Sequence, residues 1–442
     1  MSRPPLHRRA ATRLRRLALA PLALLAAFAA GPAPAAGALT LDDALRLAQQ
    51  RSRGLPAYEL AADAALERAN AARARPDPVL KLGINNLPVD GADRFSLTRD
   101  FMTMRTIGLM QEFTRSGKRQ ARAARFEREA DVAKAGRRLA LATLRRDTAV
   151  AWLDRHYRER MREVLASQRD EAGLQVQAAD AAYRGGRGAQ ADVFAARSAV
   201  ALIDDRVAQA EAQVATAKTQ LARWIGAPAG DALAAPPALD AVGFNPADLE
   251  TRLLHHPDLA VWRQREAMAQ AVVELARADG RPDPSVELMY SQRGPAYSNM
   301  VSLNVALPLP WQRAQRQDRE VAARLAALEQ LRAEREEATR MHAAEVLALW
   351  QEWQSGRQRL GRHDAALLPL AAERTRAALA AYRGASGPLN AVLEARRNEI
   401  DVRLERLRLE METARLWAQL NYWIGAGHES AAGVAEGARE QP

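Results

Sequence analysis

Few residues in this chain have the types and spacing that chemistry requires. The pair His255-His256 supplies two imidazoles, but neighbours on a helix point about 100° apart and cannot chelate as an i, i+4 pair would. Pro257 and Asp258 follow and mark a helix end, so a surface or capping role is expected. Met102 and Met104 offer thioethers, which suit soft Cu(I), although methionine is also a common filler. Asp192 and Glu394 each open a helical pattern after a glycine-broken turn, where a carboxylate favours the helix dipole by about 0.3–1 kcal/mol. No G-x-S-x-G, P-loop, H-E-x-x-H or dinucleotide motif occurs, and no cysteine is present to act as nucleophile, metal ligand or disulfide. Enzyme chemistry has little support, and no cofactor or resident metal is called for.

The two acids belong to a stretch that occurs twice. AAYRGGRGAQADVFAAR covers residues 181–197 and AAYRGASGPLNAVLEAR covers residues 380–396, and the same offset carries Trp224-Ile225-Gly226 onto Trp423-Ile424-Gly425. The chain is therefore a duplication. Each copy reads as two alanine-rich helices broken by glycine, an αα-hairpin.

The N-terminus joins Arg8, Arg9, Arg13, Arg15 and Arg16 to an apolar run and then to small residues around Ala33-Pro34-Ala35 and Ala36-Gly37-Ala38. That order is a secretory signal peptide, assigned to residues 1–38 with cleavage after Ala35 or Ala38. Its removal takes away much of the formal charge of +11 and leaves a mildly basic chain. The remaining arginines alternate with acids and alanine on helical patterns, so solvated helix faces are expected and a nucleic-acid partner is not. No later segment has 18 consecutive apolar residues, so a bilayer would have to be met with β-strands.

Amphipathic helices are expected at 41–53 and 58–74, stopped by Arg75-Pro76-Asp77-Pro78. Strand-like runs follow at 79–85 and 106–113, separated by a loop rich in Gly, Asp and Asn. Arg281-Pro282-Asp283-Pro284 repeats the motif, with strand-like runs at 286–291 and 301–307. Each half thus contributes one β-hairpin. Four strands cannot close a membrane barrel, whereas three chains would supply twelve.

Residues 118–182 contain no proline and predict a helix near 100 Å long at 1.5 Å per residue. The counterpart, 312–382, contains Gly356, Gly361 and Pro369, where a kink or short break is expected. The returning helices carry seven-residue rows: Val193, Val200, Val207, Val214 and Leu221 beside Ala196, Ile203, Ala210, Ala217 and Trp224 in the first half. In the second half, Ala395, Val402, Leu409, Leu416 and Trp423 form one row and Leu393, Ile400, Leu407 and Ala414 another, on a different side. Two seams imply two neighbours, as in a cylinder of helices; an elongated bundle fits the spacing nearly as well. The repeats are assigned to 39–226 and 247–425, with a Pro/Ala-rich linker at 227–246 and a disordered tail at 426–442.

In order and offset, the N-terminal helix, the duplication, the two Arg-Pro-Asp-Pro motifs, Gly117-Lys118-Arg119 and the Tyr-Arg-Gly turns resemble the TolC-type outer-membrane efflux proteins. The resemblance implies a mostly α chain with a membrane β-barrel portion: a trimer whose twelve-stranded β-barrel in the outer membrane continues as an α-helical barrel through the periplasm. It implies a passive exit duct that works with a periplasmic adaptor protein and an inner-membrane transporter, here of the RND type. It implies an adaptor-docking tip at Tyr183, Arg184, Gly185 and Gly186 and at Tyr382, Arg383, Gly384 and Ala385. A periplasmic gate is implied at Asp192, Glu394 and Asn390, with Ala391 standing where the family has an acid and thinning the acidic ring. The segment from Met102 to Glu112 looks like the heavy-metal branch, which makes metal cations the expected cargo and drugs or other small organic compounds the alternative. A soluble periplasmic coiled-coil adaptor would explain the heptads and signal peptide but leaves both strand pairs unexplained.

Overall fold

The computed structural model describes residues 38–243, 247, 249, 256–384 and 386–424. Residues 1–37 of the expected signal peptide, His255, Ala385 and the expected tail lie outside the described residues.

Helix α1 (Leu41–Arg51) begins where Thr40 Oγ1 accepts from the Asp43 N–H at 3.1 Å, and it buries Leu41, Ala44, Leu45 and Ala48, the face its spacing predicts. Helix α2 (Gly54–Arg73) starts earlier than the sequence suggests and ends just ahead of Pro76 and Pro78. Its Ala62 and Ala65 pack on Ala130, an all-alanine contact that lets two backbones approach closely.

Strands β1 (Val79–Asn85), β2 (Met104–Glu112), β3 (Ser285–Gln292) and β4 (Met300–Ala306) form one antiparallel sheet in the order β1-β2-β3-β4. The two hairpins are therefore joined, β2 to β3, across the duplication. Alternation sorts the sheet into two faces. One carries the rows Leu80-Leu109-Leu288-Leu303 and Leu82-Ile107-Tyr290-Val301, all exposed. The other carries Lys81-Gly108-Met289-Ser302 and Val79-Met110-Glu287-Asn304. On this polar face Lys81 Nζ reaches Glu287 across β2 at 3.0 Å, and Gly108, opposite Lys81, has no side chain to obstruct it.

Beneath the sheet, α3 (Ser116–Arg184) runs 69 residues without interruption, about 100 Å. Helix α4 (Gln190–Ile225) returns along it and buries Val193, Ala196, Ile203, Ala210, Val214, Ala217 and Leu221 from the two expected rows. In the second half α5 (Pro257–Asp279) leads into the sheet, and α6 (Gln317–Arg362) leads away from it. The expected break follows at a π turn, His363–Leu367, before α7 (Leu368–Arg383). Pro369 explains its position: it has no N–H for the carbonyl four residues back and would clash with it, and the widened turn removes that conflict by bonding Leu368 N–H to His363 O. Gly356 and Gly361 stay helical. Gly356 serves packing, since a Cβ there would meet Thr413 Oγ1 at 2.4 Å. Helix α8 (Leu389–Gln419) returns with both of its seams engaged, burying Ala395 and Leu409 from one row and Ile400, Leu407 and Ala414 from the other.

His256 is the N-cap of α5, its Nδ1 accepting from the Asp258 N–H at 3.3 Å, as expected; it is buried, so the surface part of that expectation is corrected. Its ring lies 5.0 Å from that of His342, which is bonded to Asp258. The bond to Asp258 raises the His342 pKa, whereas burial, followed by repulsion from His342, pushes His256 down to about 4.

The main core lies midway along α3, where α4 and α8 end, around Trp152, Leu153, Leu221 and Leu420. Residues 227–243 cross it as a belt. Arg155, only 1% exposed, donates to Ala229 O at 2.7 Å and Asp231 O at 2.6 Å while pairing with Glu159 at 2.9 Å. Leu39 bridges Leu233 in parallel, and the Trp417 indole donates to Ala241 O at 2.8 Å. Arg155→Ala should remove the donor from the buried Ala229 carbonyl and the partly buried Asp231 carbonyl and cost about 2–5 kcal/mol. Limited proteolysis should then show cleavage within 227–243 at protease levels that leave the unaltered protein intact.

Candidate functional site: the strand wall and the helical tips

Each end of the molecule is shaped by local sequence. At the sheet end, the apolar rows span the middle of the strands and are bounded by Arg105 and Gln292 on one side and Gln111 on the other. Apolar residues facing outward between polar margins are what a membrane strand presents to lipid. The opposite face is polar but carries four methionines, Met104, Met110, Met289 and Met300, alongside the Lys81–Glu287 pair. Met104 thus opens β2 on the polar face, while Met102 sits exposed in the preceding loop, its N–H held by Asp100 Oδ1 at 2.9 Å.

Where sheet meets helix, the two repeats lock together. Phe113 N–H donates to Pro284 O at 2.8 Å, Arg115 N–H to Asp283 Oδ1 at 3.0 Å, and Lys118 Nζ to Asp283 Oδ2 at 2.6 Å. Burial opposes ionisation of Asp283, but Lys118, the Arg115 N–H and Arg122 outweigh it and hold the carboxyl below the usual range. Lys118 and the second Arg-Pro-Asp-Pro motif are separate sequence marks that become one contact.

At the far end, both helix pairs turn in the same way. Gly185 N–H bonds Ala181 O and Arg187 N–H bonds Ala182 O; Gly384 N–H bonds Ala380 O and Ser386 N–H bonds Ala381 O. Gly186 adopts φ 66°, which explains a glycine at that position. The two tips share a small apolar cluster, Ala179, Val193, Ala196, Leu389 and Val392, with Tyr382 packed against it. Tyr183, by contrast, is exposed, and Arg184 pairs with Asp180 at 2.6 Å. Arg383, Gly384 and Asn390 are exposed as well.

Asp192 Oδ2 accepts from the Ala189 N–H at 3.3 Å, which caps α4, and Glu394 pairs with Arg374 at 2.6 Å. Each acid is thus held by its own hairpin. Two further contacts join the hairpins and were missed from sequence: Arg396–Glu171 at 2.6 Å and Arg206–Asp401 at 2.8 Å. Their only signal is charge beside a heptad seam, where coiled-coil helices commonly pair.

Comparison with known proteins agrees with this geometry. Residues 44–227 match the sequence profile of the family described as outer membrane efflux protein. The chain is 30% identical over 294 residues to the cobalt-zinc-cadmium resistance protein CzcC of Cupriavidus metallidurans, and the aligned stretch spans 63% of this chain and 65% of that relative. The fold resembles that of the outer-membrane channel OprN, with a TM-score of 0.72 and 16% identity over 87% of this chain and 90% of the other. It also resembles the CmeC outer membrane channel of Campylobacter jejuni, with a TM-score of 0.73 and 12% identity over 91% and 90%. CusC, whose structures concern transmembrane channel formation, gives a TM-score of 0.71 and 15% identity over 86% and 92%. The chain thus resembles the outer membrane efflux proteins, by sequence profile over residues 44–227 and by fold over most of its length.

Proposed function

We propose that three copies of this chain form the passive outer-membrane exit duct of a tripartite efflux system, and that its cargo is heavy-metal cations. The observation that carries this reading is the four-stranded sheet, apolar on one face, polar on the other and open at both edges, standing on helices about 100 Å long. A soluble adaptor would have no use for such a sheet. Repeats 39–226 and 247–425, joined by 227–246, each supply one hairpin of strands and one of helices. An adaptor protein docks at the exposed tip residues Tyr183, Arg184, Gly185, Gly186, Arg383 and Gly384, and an inner-membrane transporter of the RND type supplies the energy. The resistance named for the Cupriavidus relative supports metal cations as cargo, and the methionines on the polar face suit soft ones.

The second hairpin is the moving part of the gate in this reading. It alone has a π turn behind it, and it is held by contacts that can part: the Tyr382 cluster and the pairs to Glu171 and Arg206. Ion pairs that keep one partner in solvent, as Glu171 and Asp401 do, contribute on the order of 1 kcal/mol each, so a docked partner can outcompete them. Asp192 and Glu394 set the charge at the mouth.

The duct reading is tested by fractionation and planar bilayers: the protein should sediment with outer membranes and give single-channel conductance, and a soluble periplasmic monomer without conductance would overturn it. A deletion strain should become more sensitive to cobalt, zinc or cadmium; sensitivity to drugs alone would assign organic cargo instead. Tyr382→Ala should raise the resting conductance several-fold, whereas Tyr183→Ala should leave conductance unchanged and weaken adaptor binding in a pull-down. Replacing Asp192 and Glu394 together by alanine should weaken block by multivalent cations at the periplasmic mouth; unchanged block would leave both residues as helix-stabilising groups only.

A further inference from the structure

Methionine is distributed over the sheet in a way that packing alone does not explain. Four of the chain's ten methionines lie in the strands, and all four are on the polar face, among Lys, Glu, Ser, Asn, Thr and Gly. The apolar rows, where a filler side chain belongs, are built of leucine, isoleucine, valine and tyrosine. The registers put one methionine on each rung of the polar face. From the helices outward, Val79-Met110-Glu287-Asn304 is followed by Lys81-Gly108-Met289-Ser302, then Gly83-Thr106-Ser291-Met300, then Asn85-Met104. Rungs stand about 7 Å apart, two residues along a strand.

Three of the four are contiguous. Met289 is one strand and one rung from Met110, and Met300 is one strand and one rung from Met289, the diagonal relation in which long side chains meet across a sheet. Small neighbours leave them room: Gly108 stands beside the first diagonal, and Ser291 and Ser302 flank the second. A Cβ on Gly108 would lie 3.4 Å from Met289 Cγ, so the stem of the methionine fills space that any other residue there would contest. Glu287, the remaining neighbour, is held by Lys81 at 3.0 Å, so neither charge stands unpaired beside the thioethers. Met110 and Met289 are half-buried, and Met300 is exposed.

We propose that Met110, Met289 and Met300 form a stepped thioether site for a soft monovalent cation, Cu(I) or Ag(I), on the wall of the duct, with Met104 and the loop residue Met102 continuing it towards the outer rim. Thioethers are soft, neutral ligands and favour such ions over zinc or cobalt. They are the whole ligand set: among the described residues no group of three or more His, Cys, Asp or Glu side chains could hold a metal ion. Two thioethers at a step hold an ion loosely enough to release it to the next, as a conducting wall requires. The inference rests on the duct reading and its metal cargo, and adds where along the wall the ion is held and which class of ion it is.

Silver nitrate tests this without redox chemistry, and the chain has no cysteine to compete for the ion. In equilibrium dialysis of the purified full chain Ag(I) should bind, and Met110→Leu, Met289→Leu and Met300→Leu together should lower its affinity about tenfold or more. Leucine stays close to methionine in volume, so the triple variant should keep its fold and, in planar bilayers, the conductance of the unaltered channel. Zn(II) binding should not change with the triple substitution. Met161→Leu, Met341→Leu and Met411→Leu together, all on helices, should leave silver affinity as it is. Silver affinity that survives the triple substitution, that falls as much with the helix substitutions, or that falls in step with zinc overturns the thioether site and leaves the duct standing. An unaltered chain without conductance overturns the duct, and the dialysis still decides the thioether site.

Discussion

Inside a bilayer a backbone N–H or C=O finds a partner in its own sheet or in a neighbouring chain, and each orphan costs several kcal/mol. The architecture follows from that requirement. Pairing β2 with β3 satisfies the inner edges of both hairpins and, in doing so, fuses the two repeats at the membrane end. The Asp283 clamp then passes the same constraint down into the helices, because the start of α3 is bonded to the residues that begin β3. The long helices are consequently anchored at fixed positions around the sheet.

Further down, different physics holds the body together. Alanine and glycine at contact positions, such as Ala62, Ala65 and Ala130, or Gly356 against Thr413, let helices approach until side chains interlock. Arg155 then does for the covalent junction what Asp283 does for the strands: a buried cation gathers two carbonyls of the stretch that joins the repeats. Residues 227–243 of the stretch joining the repeats are accordingly a packed element rather than a loose tether.

Much of this was legible because its signals are local. Strands showed as alternation behind Pro-Asp-Pro, helix length as an absence of proline, and the seams of α4 and α8 as sevens. The first-turn position of Asp192 was equally local, and the structure gives that residue a capping bond. What stayed hidden depends on distant partners. Nothing near Arg155 marks the carbonyls of Ala229 and Asp231, nothing near His256 points to His342, and the pairing of β2 with β3 joins segments that lie in different repeats. The unequal fates of Tyr183 and Tyr382 were illegible for the same reason, since both occupy the same word of the repeat and only the packing around them differs.

The π turn at His363–Leu367 has one more consequence. A widened turn inserts one residue into the helical count, and everything beyond it is rotated by about 100° relative to an uninterrupted helix. The two hairpins therefore reach their tips along helices of different build, one continuous and one interrupted, although the two share an ancestor. In a ring of three copies the six tips alternate between two kinds, so the end of the cylinder has threefold and not sixfold symmetry. A partner that engages every tip has to recognise two non-equivalent sites in alternation.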